Sequence, residues 1–83
     1  MKLRKVKTLH DGKQVLVLRE PFSTERKILI GHVFKYRDNK ANINIIGNKT
    51  KALPYNSDEL YEIVDNNGNL LPDEEWGSNL DKL

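Results

Sequence analysis

Residues 28–45 read Ile28-Leu29-Ile30-Gly31-His32-Val33-Phe34-Lys35-Tyr36-Arg37-Asp38-Asn39-Lys40-Ala41-Asn42-Ile43-Asn44-Ile45. The last five residues alternate. Ala41, Ile43 and Ile45 fall on one side and Asn42 and Asn44 on the other, the pattern of a strand with one buried face. Arg37-Asp38-Asn39-Lys40 is a polar turn. Ile28 to Tyr36 forms the strand before it. Ile28, Ile30, Phe34 and Tyr36 share one parity; Leu29, Gly31, Val33 and Lys35 share the other. Apolar residues on both sides, with a glycine in the middle, predict a bent strand serving two sides of a barrel.

Towards the N-terminus, Val15-Leu16-Val17-Leu18 is apolar on both faces, as a central strand is. Pro21 ends it, because proline cannot donate to a ladder. Residues 20–27 form a polar loop. Residues 3–9, Leu-Arg-Lys-Val-Lys-Thr-Leu, favour a further strand. Asp11-Gly12 between the two runs predicts a hairpin with a type I′ turn, which needs φ > 0 at both central residues.

Towards the C-terminus, Gly47-Asn48-Lys49-Thr50 is a turn and Lys51-Ala52-Leu53 a short strand ended by Pro54. Asn56-Ser57-Asp58-Glu59-Leu60 reads as one helical turn, capped by Asn56 or Ser57 with acids in its first turn. Tyr61-Glu62-Ile63-Val64 is a strand and Asp65-Asn66-Asn67-Gly68 a turn. From Pro72 onward the chain reads as an acidic tail carrying Trp76, Leu80 and Leu83.

The chain has 83 residues and no cysteine. One thin core must therefore hold the fold without disulfides, which favours a closed barrel over an open sheet. No apolar run approaches the roughly 20 residues that span a bilayer. The basic start, Met1-Lys2-Leu3-Arg4-Lys5, is followed by no apolar h-region, so a soluble cytoplasmic protein is expected. The abundance of Asn, Lys and Ile points to an AT-rich bacterial or phage genome. Residues 1–51 hold 13 Lys and Arg against four acids, a net +9; residues 52–83 hold eight acids against Lys82, a net −7. Such a split marks either a basic binding face with an acidic modulator or two segments that neutralise each other.

Five or six short strands, tight turns and one helical turn before a late strand resemble the SH3-like barrel, and within it the KOW type. The residues that carry this resemblance run from 12 to 64. They are Gly12 and Val15-Leu16-Val17, Pro21-Phe22, Gly31-His32-Val33, the stretch from Ala41 to Gly47, and Leu60-Tyr61-Glu62-Ile63. The loop between Phe22 and Gly31 is longer than the family's, and the N-terminal strand and C-terminal tail have no counterpart in it. The fold expected is thus mainly all-β, a five- to six-stranded SH3-like barrel over residues 1–71, with an acidic tail over 72–83. The resemblance implies binding to RNA, DNA or a polymerase or ribosome surface, and no enzyme.

No residue set for catalysis stands out. His10 and His32 are not at ligand spacing and no thiolate exists, so neither metal nor cofactor is expected. Ser23, Ser57 and Ser78 sit in turn or cap contexts without a partner base. The strongest constellation is basic and aromatic: Phe22, Arg26, Lys27, Lys35, Tyr36, Arg37, Lys40, Lys49 and Lys51, all in or beside loops. Positive loops with exposed aromatics suit nucleic acid, or an acidic protein surface. Tyr55 is a second loop aromatic of this kind, or a core plug. The tail offers an alternative. Trp76 and Leu80 among acids form a docking peptide for a host protein that the chain inhibits or adapts, unless Trp76 packs back onto the chain itself.

Overall fold

A computed structural model describes residues 1–18, 28–46 and 52–82, with backbone alone for residues 52 and 53. At its centre is β2 (Gln14–Val17), all four residues of which are buried. Antiparallel neighbours flank it, β6 (Leu60–Val64) on one side and β3 (Leu29–Arg37) on the other. Beyond β3 lie β4 (Lys40–Ile45) and then β5 (Ala52–Asn56); beyond β6 lies β1 (Lys2–Lys5). The result is one antiparallel sheet in the order β1-β6-β2-β3-β4-β5. Its edges, β1 and β5, do not pair with each other, so the sheet is not closed as a hydrogen-bonded barrel. One 3-10 turn, Ser57–Glu59, precedes β6. A small antiparallel all-β sheet with this element order is compatible with an SH3-like fold. Among the described residues no helix is long and apolar enough to cross a membrane.

Burial on both sides of β2 follows from its alternation. Val15 and Val17 face the main core with Val6, Leu9, Val33, Ala41, Ile43, Ile45, Tyr55 and Leu60. Leu16 faces the other side, where it meets Ile63 and Trp76 within a rim of half-buried Met1, Leu3, Ile28, Ile30, Tyr61, Leu71 and Leu80. This second face needs its own cover, since a two-faced apolar strand cannot leave one face wet. Residues 73–82 supply it: a 3-10 turn (Asp73–Glu75), the one-turn helix α1 (Trp76–Asn79) and a last 3-10 turn (Leu80–Lys82). The segment read as an acidic tail thus packs on the sheet. Its acids stay exposed while Trp76 has no accessible surface. The indole Nε1 donates to Leu71 O at 3.0 Å, and Gln14 Nε2 donates to Asp73 O at 3.0 Å.

The bend expected in the Ile28–Tyr36 run is a β-bulge. Val33 stands opposite Ile43 and Lys35 opposite Asn42, leaving Phe34 as the extra residue. Gly31 permits the close approach of β4 just before it. A Cβ there would run into Ile43 Cγ2 and lie 3.1 Å from Asn44 O and 3.2 Å from Ile45 Cδ1.

Three local expectations are corrected. Asp11-Gly12 is a turn, with Lys13 N donating to His10 O at 3.0 Å, but it joins no hairpin, because β1 pairs with β6. Only Gly12 has positive φ, at 86°, the pattern of a type II turn and not type I′. The turn with positive φ at both central residues is Asp38-Asn39 (54° and 62°), which closes the β3–β4 hairpin between Arg37 and Lys40. Asp and Asn tolerate that region better than other non-glycine residues. Finally, β5 does not stop at Pro54 but runs to Asn56, with Pro54 opposite Asn42. An edge strand has one backbone side without a partner, so the missing N–H costs no ladder bond. The loop at 20–27 and the turn at 47–50 lie outside the described residues.

Candidate nucleic-acid interface

The β3–β4 hairpin carries the largest share of the basic and aromatic residues singled out in the sequence. Lys35, Tyr36, Arg37 and Lys40 are all exposed at its end. Register puts Arg37 opposite Lys40 and Lys35 opposite Asn42, so the three cations share one face, continuous with the face that Trp76 covers further in. Tyr36 stands opposite Ala41 and so belongs to the other face; it is 42% exposed and its hydroxyl donates to Asn39 Oδ1 at 3.0 Å. Phe34, which the sequence reading passed over, is also 42% exposed. It follows Val33, which faces the main core, so alternation turns it outward, and the bulge leaves it as the extra residue of β3.

Phe22, Arg26, Lys27, Lys49 and Lys51 lie outside the described residues. Tyr55 is buried in the main core, so of its two readings the core plug holds. Trp76 is buried and Leu80 half-buried, both in the second cluster, so in this fold the indole faces no partner. His10 is exposed beside its turn. His32 is half-buried, opposite Gln14 on one side and Asn44 on the other. Among the described residues no three His, Asp or Glu side chains gather as a metal site would require.

The two oppositely charged parts of the chain meet at one carboxylate. Buried Glu62 accepts from Arg4 Nε at 2.9 Å and lies 3.3 Å from Lys13 Nζ, while Arg4 Nη1 donates to Gly68 O at 2.8 Å. Among the described residues Lys35, Arg37 and Lys40 have no carboxylate within ion-pair distance, so neutralisation is local to Glu62 and does not reach the hairpin. Elsewhere Asp65 is used structurally. Its Oδ1 accepts from Asn69 N at 3.0 Å and Asn67 N at 2.8 Å, and these bonds, Asn69's first, hold its carboxyl below the ordinary value.

No protein family, curated protein or solved structure matches this chain.

Proposed function

We propose that this protein is a small non-catalytic binding module that engages nucleic acid through the end of its β3–β4 hairpin, as the KOW-type resemblance implies. The observation that carries the reading is the set of three cations, Lys35, Arg37 and Lys40, without an ion-pair partner among the described residues, on one face of an exposed hairpin that also exposes Phe34 at its bulge and Tyr36 on the opposite face. Cations at neighbouring positions of a two-stranded ribbon can contact successive phosphates. The aromatics offer flat faces on which bases stack. A cytoplasmic setting in a bacterium or phage goes with this reading. The alternative, a host-protein adaptor anchored by Trp76, lacks its anchor, because the indole is enclosed.

Anisotropy titration of labelled RNA and DNA oligonucleotides at two salt concentrations tests it. Three phosphate contacts give a log–log salt slope of about −2 for single strands, so affinity should fall about twentyfold between 50 and 200 mM salt. Replacing Lys35, Arg37 and Lys40 by Ala should flatten that slope by about 2. Binding that is absent, or indifferent to salt, rejects the reading.

A further inference from the structure

The hairpin cations do not stand alone on their face. Two residues up β4 from Lys40 is Asn42, and two further is Asn44; Asn42 pairs with Lys35, and Asn44 with His32. Rows on a strand face repeat at about 6.7 Å and neighbouring strands lie about 4.8 Å apart. Together these residues tile an area of about 13 by 5 Å over β3 and β4, interrupted by the bulge at Phe34. Its chemistry is graded. At the hairpin end it is cationic; at the inner end it is neutral and polar. Within the described residues the side chains of Asn42, Asn44 and His32 make no hydrogen bond. Exposed Pro54 sits beside Asn42 on β5.

The next residue inward is Gln14, paired with His32, and Gln14 holds the backbone of Asp73. Exposed Asp73, Glu74 and Glu75 therefore wall the inner end of the same face. Phosphates are welcome at one end and repelled at the other. The two amides between the ends each offer a donor pair and an acceptor.

We infer that the ligand of this face is a single strand, lying with phosphates against Lys35, Arg37 and Lys40 and base edges against Asn42 and Asn44. This rests on the nucleic-acid reading above and narrows it. In a duplex the Watson–Crick edges are already paired and are not offered to the two amides. A duplex would also bring a second row of phosphates against the acidic wall. A single strand splays its bases, which is how sheet faces and loops read RNA. A protein partner fits the face less well. Interface cores are built on clusters of buried aromatic or aliphatic anchors, and between its two ends this area offers Phe34 alone, at the bulge.

The test compares one oligonucleotide sequence as single strand and as duplex, against the wild-type chain and three variants. The single strand should bind at least about tenfold tighter than the duplex. Asn42→Ala with Asn44→Ala should weaken the single strand about tenfold, the scale of one lost base contact, with its salt slope unchanged. Asn44→Ala alone, at an exposed position, should give part of that loss in a chain whose melting temperature is unaltered. The Lys35, Arg37, Lys40 triple alanine variant should change the slope instead. Equal or tighter duplex binding overturns the inference, as does undiminished single-strand binding by a folded double variant; in both cases the cationic hairpin can stand. No binding to either oligonucleotide overturns hairpin and face together.

Discussion

Replacing Trp76 by alanine should cost about 3–5 kcal/mol, the range for emptying a buried aromatic site. The indole has no accessible surface and lies against Leu16 and Ile63, themselves fully buried. Removing an aromatic that buries 150–250 Å² forfeits roughly 4–6 kcal/mol of transfer free energy as an upper bound, before the remaining methyl is counted. The variant also strands Leu71 O, which accepts the indole N–H. A domain of this length has a total stability of about 4–12 kcal/mol, so the loss consumes much of it. Urea unfolding followed by far-UV circular dichroism measures the change, since the variant has no tryptophan to report. Its midpoint should fall sharply at constant m, and Tm should drop by more than about 12 °C. Trp76→Phe keeps most of the apolar area and should lose only about 1–2 kcal/mol, mainly through the unpaired carbonyl. In the wild type, acrylamide should quench the indole poorly. A loss below about 1 kcal/mol for Trp76→Ala, with ready quenching in the wild type, would mean that residues 73–82 are a loose tail and would refute the two-faced sheet.

Gly31→Ala should destabilise by about 1–3 kcal/mol through overpacking, because the new Cβ meets Ile43 and Ile45 in a buried site; a thermal melt reads it as a fall in Tm. Glu62→Gln removes the one carboxylate shared by Arg4 and Lys13, whose side chains are 39% and 24% exposed. It should cost about 1–2 kcal/mol at low salt, less than a fully buried pair, and the cost should shrink as salt rises; denaturation at two ionic strengths decides it. Asp65 has a folded-state pKa below its ordinary 3.8. Its charge therefore stabilises the fold above that value, and the contribution disappears as pH falls through the lower folded value. The stability difference between wild type and Asp65→Asn should be constant at neutral pH and close only below about pH 3.8. A difference that closes between pH 5 and 7 contradicts the carboxylate's role.

Much of the sheet was legible because strands announce themselves locally. Alternation from Ala41 to Ile45 placed the buried and outward sets correctly, and the two-faced run at Val15 marked the strand that proves central. The bulge in β3 was foreshadowed by apolar residues on both parities around Gly31. Turn chemistry was less decisive. Asp11-Gly12 carries the stronger hairpin motif, yet Asp38-Asn39 takes the hairpin geometry, because the flanking runs there can pair with each other. Of the site, the cations at Lys35, Arg37 and Lys40 were legible from their density around a turn. Asn42 and Asn44 were legible as outward residues but not as members of a surface, since their company on β3 depends on register.

By itself the sequence determined where strands form, which side chains seek the core, and that positive charge gathers at the β3–β4 turn. Those follow from alternation, turn preference and composition, which act over a few neighbouring residues. Tertiary structure alone decided that β1 pairs with β6 and not β2, that the sheet stays open, and that the acidic C-terminal segment folds under its own Trp76. It also decided which charges cancel at Glu62 and which, among the described residues, remain free at the hairpin. Such choices turn on which sheet edge and which apolar face are left uncovered once the strands assemble. Residues far apart in the chain, such as Leu3 and Ile63, settle them together.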